Sequence, residues 1–178
     1  MLDVIAAYNR FKFLGHEFLT WLWFVIETDP SLLQALDSES VSLEVGARIV
    51  LENRSVDSLE RITIKGDAAS LEEGMLALKK GALVTELSLI YVSNDKKWRF
   101  SIKGESLNIS NLQVPLSIDG PKNQDFESLL YNKTFLWDKI FRICDGLFSH
   151  FIKLRVSSTK WQRTVVPQIA DWVHSRHF

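Results

Sequence analysis

The chain has 178 residues, 46% hydrophobic and 24% charged, which suits one globular domain with a real core. Its formal net charge of −1 gives no overall electrostatic pull toward nucleic acid or membrane, although a local imbalance could supply one. Residues 122–178 carry nine Lys/Arg against five Asp/Glu, and residues 1–121 carry twelve against seventeen. The basic surplus therefore sits at the C-terminal end. One cysteine, Cys144, excludes an intrachain disulfide and fits a reducing compartment. The first twenty residues lack a basic start, apolar run and small-residue cleavage site, so a cytoplasmic location is expected.

In chain order, Asp3 to Glu27 reads as a helix, with Leu14, Phe18, Trp21 and Val25 on one face. Its apolar run, Phe18 to Ile26, is far below the roughly 20 residues needed to cross a bilayer, which argues against a membrane role. Trp21, Trp23 and Phe24 cannot all share one face, so they form a candidate oligomer or partner surface, unless the C-terminal helices cover them. Asp29-Pro30 is expected to cap a short helix through Leu36. The period then becomes two. Val41, Leu43, Val45, Ala47, Ile49 and Leu51 alternate with Ser42, Glu44, Gly46, Arg48, Val50 and Glu52 in a long strand, and Leu59 to Lys65 follows as a second, with Ile62 and Ile64 inward. Ser70 and Glu73 suggest a capping box for a helix ending near Lys80 and Gly81.

Leu83 to Val92, the turn Ser93-Asn94-Asp95-Lys96 and the alternation Trp98, Phe100, Ile102 make the clearest hairpin. A short strand is expected between Ser106 and Val114, with Pro115, Gly120 and Pro121 as punctuation. From Asp125, the apolar set Phe126, Leu130, Trp137, Phe141, Cys144, Phe148 and Phe151 recurs at three- and four-residue spacing over about thirty residues, a helix on the order of 45 Å long. A last helical segment from Ser158 should break or kink at Pro167. The expected fold class is α+β: a mainly antiparallel sheet of about five strands, packed with an aromatic N-terminal helix and long C-terminal helices. A single domain over 1–178 is expected, with 1–121 (helix plus sheet) and 122–178 (helical) as a possible subdivision.

Reactive chemistry is sparse. His16-Glu17 would begin a zinc-protease helix motif, but position 20, where the second His belongs, is Thr. No metal ligand set, cofactor, catalytic residue or small-molecule substrate is expected. Cys144 lies on an apolar stripe and reads as a small hydrophobe. What remains is surface. Arg48, Arg61, Lys65, Lys97, Arg99 and Lys103 fall on the polar sides of the expected strands, against Glu44, Glu52 and Glu86. Lys153, Arg155, Lys160 and Arg163 cluster around Trp161. Both groups are candidate DNA contacts, since cations bind phosphates and an aromatic ring can stack a base. Solvated faces and a core Trp are the plainer reading of the same pattern.

The run Gly81-Ala82-Leu83-Val84-Thr85-Glu86-Leu87-Ser88-Leu89, preceded by the helix from Ser70, resembles the recombination-associated protein RdgC family, in which a Gly-x-x-Val-Thr-x-Leu-x-Leu strand follows a similar helix. Leu19-Thr20-Trp21-Leu22, Leu32-Leu33 and the aromatic helix from Phe126 extend the resemblance over most of the chain, corresponding to about the C-terminal half of longer family members. The resemblance implies a nucleoid-associated protein that binds double-stranded DNA without sequence preference, as a homodimer forming a ring around the duplex, and restrains RecA-driven recombination. A protein-interaction or oligomerisation module without DNA binding is the alternative, and an exonuclease the third. The quoted motif positions look like core residues and carry no reactive group.

Overall fold

The computed structural model describes residues 13–29, 31–34, 41–54, 59–65, 68–115 and 126–175. The expected helical residues before Phe13, the end of the short helix at Leu36 and the Gly120-Pro121 punctuation lie outside these. The chain is α+β, with one five-stranded antiparallel sheet and helices from both ends of the chain. In order, the elements are α1 (Phe13–Thr28), α2 (Ser31–Gln34), β1 (Val41–Arg54), β2 (Leu59–Lys65), α3 (Ala68–Lys79), β3 (Leu83–Ser93), β4 (Lys96–Lys103), β5 (Asn108–Gln113) and α4 (Phe126–Val156). Then follow α5 (Ser158–Lys160), a π-helical turn (Trp161–Val165) and α6 (Val166–Ser175). The sheet order is β2-β1-β3-β4-β5.

The β3–β4 hairpin forms where expected. Asn94 and Asp95 both take positive φ, 47° and 63°, and Ser93 faces Lys96 across the turn. Two central residues in the left-handed region match the right-handed twist of the flanking strands, and Asn and Asp tolerate that conformation. The strict alternation expected in β1 does not hold. Its register against β3 shifts between Val45 and Ile49, and Ala47 is exposed instead of inward. A bulge of this kind inserts an unpaired residue and bends the strand. The helix expected from Ser70 already begins at Ala68, which places Ser70 inside its first turn. Asp29 does cap α2: its Oδ1 accepts the backbone N–H of Ser31 at 3.2 Å.

The helices pack on one sheet face. There Leu43, Ile49 and Leu51 of β1, Leu87, Leu89 and Tyr91 of β3, and Trp98, Phe100 and Ile102 of β4 join one cluster with Phe18, Trp21, Trp23 and Phe151. The seat of α1 is set by two glycines. A Cβ on Gly15 would lie 1.7 Å from the carbonyl oxygen of Gly104, and one on Gly104 would lie 2.7 Å from the His16 ring. Helix backbone therefore lies directly on the turn that leaves β4.

Long helix α4 is anchored near its middle. The Trp98 Nε1–H donates to the Leu136 carbonyl at 3.2 Å, and Lys139 Nζ donates to Ser93 Oγ at 2.9 Å while lying over the Tyr91 and Trp98 rings. From there to its C-terminus α4 is packed, with Ile140, Leu147 and Phe151 buried and Phe148 edge-on to Phe18. Its first half is different. Leu130, expected on the apolar stripe, is exposed, and so are Trp137 and Phe141 beside the anchor, although Phe141 still lines a groove with Phe18, Ile102, Leu107 and Ile109. The disturbance expected at Pro167 is also found, just upstream. The Val166 N–H reaches the carbonyl of Trp161, five residues back, so the wider π turn immediately precedes the proline, which sits in the first turn of α6.

Gly15→Ala should lower the melting temperature by about 10 °C, since forcing backbone apart costs roughly 3 kcal/mol or more and each kcal/mol shifts a domain of this size by about 2–4 °C. Gly81→Ala, at φ +87° in open space, should cost only about 1 kcal/mol. Equal melting curves for the two variants in differential scanning calorimetry would contradict the packing described for α1.

Candidate nucleic-acid interface

Cross-strand partners point to the same side of a sheet, so the register assigns each strand cation to a face. Arg48 is paired with Lys65 and Glu52 with Arg61. Glu86 is paired with Lys103, Ile90 with Arg99 and Val92 with Lys97. Each of these positions alternates with the core residues named above. Arg48, Arg61, Lys65, Lys97, Arg99 and Lys103 thus all lie on the face opposite the helices, with Glu44, Glu52 and Glu86. The helices gather over the opposite face, and α1 reaches this one through His16 at its cleft end. Neighbouring strands are about 4.8 Å apart, so the cations of β2 and β4 stand about 14 Å apart, and Lys97 to Lys103 spans about 20 Å along the strand.

Two regions of the face differ in character. At one end a cavity of about 470 Å³ is lined by Arg48, Arg61 and Lys103, by Glu52, Glu86 and Glu105, and by His16, Thr85, Ser106, Ser110 and Asn111. Arg48 lies 3.6 Å from Glu86, which is only 7% exposed, and its Nε is buried without a hydrogen-bond partner among the described residues. Cations and carboxylates alternate here, so the cleft is polar without being strongly positive. Leu107, in the turn beside it, and Asn111, within β5 at the register shift against β4, both take φ 55°. At the other end, Lys97 and Arg99 are exposed, and their cross-strand neighbours on β3 are Val92 and Ile90. Gln113 faces Arg99 from β5. No carboxylate lies directly across from either cation, which makes this the more positive part of the face.

The C-terminal cluster does not join it. Lys153, Lys160 and Arg163 are exposed, but they belong to the helical layer, on the other side of the sheet from Lys97 and Arg99. Arg155 is committed: its Nε is 2.6 Å from Glu17 Oε2, and its guanidinium lies over the Trp161 ring. Trp161 is 4% exposed and packs edge-on against Phe151. Buried in this way, it cannot stack a base, and the core reading of that tryptophan holds.

Trp21, Trp23 and Phe24 find their cover within the chain. Trp21 stacks on His150 and packs against Phe151. Trp23 and Phe24 both meet Trp172 edge-on, and Trp23 Nε1 donates to Glu27 Oε1 at 2.6 Å. Trp21 and Trp23 are fully buried and Phe24 half-buried. A groove of about 820 Å³ runs beside them, lined in part by Phe24, Leu32, Leu154, Thr164 and Trp172. Cys144 is half-buried on α4, and burial pushes its thiol up from 9.0 to about 12. Among the described residues no three His, Cys, Asp or Glu side chains are grouped so as to hold a metal ion, and no described helix is long and apolar enough to cross a membrane.

Sequence reasoning missed the neutral lining of the cleft, Ser106, Ser110 and Asn111, because it depends on how β5 folds back on β4. It also missed the exposed start of α4, whose apolar spacing is that of an ordinary buried helix.

Trp23→Ala should cost about 3–5 kcal/mol, as for other buried aromatics, and leave the oligomeric state unchanged. Calorimetry with light scattering checks this, and a change of assembly at unchanged stability would return Trp23 to a partner surface. Cys144 should react with a disulfide reagent at pH 8 on the order of a hundredfold slower than the same thiol in denaturant, because little thiolate forms. The raised pKa favours the folded state only while the thiol stays protonated, so this contribution is fully present below about pH 9 and is lost as pH rises toward 12.

Comparison of the chain with protein-family models, with curated proteins and with solved structures gave no match.

Proposed function

We propose that this chain is a noncatalytic, sequence-nonspecific binder of double-stranded DNA that contacts phosphates through the sheet face opposite its helical layer. The observation that carries the reading is that six cations from three strands share that face, with Lys97 and Arg99 unopposed by carboxylates on the adjacent strands. A face about 14 by 20 Å can follow the backbone of one duplex segment, and cations spread along strands recognise phosphates without reading base edges. The resemblance of Gly81 to Leu89 to RdgC supports the same reading and suggests action as a homodimer at the nucleoid. Because the cleft end mixes both signs, β4 would supply most of the binding.

Counterion release gives the test. On a duplex of about 30 base pairs, log affinity should fall against log salt with a slope of about 0.9 for each phosphate neutralised, or about 3–5 here. Lys97→Glu with Arg99→Glu should lower that slope by about 2, whereas Arg163→Glu, on the helical side, should leave it unchanged. Fluorescence anisotropy at low ionic strength would sink the proposal by showing no binding, or binding that ignores the β4 pair and responds to Arg163.

A second reading, a protein-interaction or oligomerisation module, is favoured by one specific observation, the exposed apolar start of α4.

A further inference from the structure

In the cleft of about 470 Å³ the two signs of charge balance in number but not in engagement. Glu52 and Glu105 each already interact with another group of the protein, and Glu86 has Arg48 beside it at 3.6 Å. The cations are different. Among the described residues, Arg61 and Lys103 make neither an ion pair nor a side-chain hydrogen bond, and Arg48 makes only that one ion pair, which is too long for a hydrogen bond. The Arg48 side chain is 43% exposed, yet its Nε is buried without a partner. Its stem is thus enclosed by packing while the rest of the guanidinium fork stays uncommitted. Unmatched donors of this kind in a folded protein call for a physical explanation, and a bound anion is one.

The lining says which anion. Arg61 on β2, Arg48 on β1 and Lys103 on β4 approach from three strands, which suits a group with several oxygens and more than one charge. A phosphate monoester has three acceptor oxygens and nearly two charges, whereas a carboxylate is matched by one arginine. The carboxylates say what the phosphate is attached to. Ionised Glu86 and Glu105 can only accept, with lone pairs beyond those a single partner uses, so the remainder of the ligand must bring donors. Toward β5 the lining is neutral and polar, with Ser106, Ser110 and Asn111 able both to donate and to accept. The one ring among the described lining residues is that of His16, so a nucleobase would lack an aromatic platform.

We infer that the cleft is a binding site for a small phosphorylated sugar, its phosphate on Arg48, Arg61 and Lys103 and its hydroxyls on Glu86, Glu105 and the β5 side. The cavity is within the range of small-molecule sites, roughly 300–1,000 Å³. The inference goes beyond the DNA reading and does not rest on it, because Lys97 and Arg99 do not line the cleft. A nucleic-acid strand end also presents a phosphate on a sugar, and the experiment separates the two sources.

Isothermal titration calorimetry of the full chain with ribose 5-phosphate and glucose 6-phosphate, beside ribose, glucose and inorganic phosphate, tests the assignment. At least one sugar phosphate should bind at least tenfold tighter than inorganic phosphate and than its parent sugar. Lys103→Gln and Arg61→Gln, both at exposed positions, should each weaken that binding by about tenfold at an unchanged melting temperature. Glu105→Gln should weaken the sugar phosphate and spare inorganic phosphate, and Lys97→Gln should change neither. No binding of either sugar phosphate at about 10 mM, affinity no better than that of inorganic phosphate, or indifference to Lys103→Gln would each overturn the inference. Displacement of the sugar phosphate by a short duplex with 5′-phosphorylated ends, but not by the same duplex without them, would assign the cleft to strand ends and overturn it as well.

Discussion

The fold depends on how closely α1 can approach the start of the β4–β5 turn. Gly15 and Gly104 leave no room for a Cβ, and that approach fixes the height of the helix above the sheet. At that height the two sides of α1 have different partners. Phe18 and Trp21 meet the C-terminal half of α4, while Trp23 and Phe24 meet Trp172 of α6. A helix that is apolar nearly all round can be stable only with such two-sided burial. The C-terminal helices thus complete a core that α1 and the sheet begin. The Glu17–Arg155 ion pair, about 29% exposed on each side, adds a polar tie at the edge of the same contact.

Because the helices all gather on one side, the sheet is left with two unlike faces. One is a continuous aromatic and aliphatic layer. The other carries the polar members of each alternating pair, and the antiparallel register collects cations that are far apart in sequence. A near-neutral chain can in this way present a locally positive surface. The effect is uneven, because Glu52 and Glu86 sit among Arg48, Arg61 and Lys103, and only the hairpin end escapes that neutralisation.

Much of this was legible from local patterns. The hairpin was readable at Asn94-Asp95, because its turn conformation is dictated by the residues that form it. The sharing of one face by six cations followed from period-two alternation and survived the bulge in β1, since that irregularity exposed Ala47 without moving Arg48 to the core side. Long-range geometry was less readable. The spacing of Leu130, Trp137 and Phe141 announces an apolar stripe but not whether anything lies under it. The cluster around Trp161 looked like a cationic aromatic surface because sequence gives neighbours along the chain, not the direction of a ring. Glu17, 138 residues away from Arg155, had no local signal at all.

Helix α4 is gripped at Leu136 and Lys139 by Trp98, Tyr91 and Ser93, with a free limb on one side and a packed limb on the other. Trp98, whose immediate chain neighbours are Lys97 and Arg99, thus stands at once in the core beneath α4 and in the strand that carries the unopposed cations.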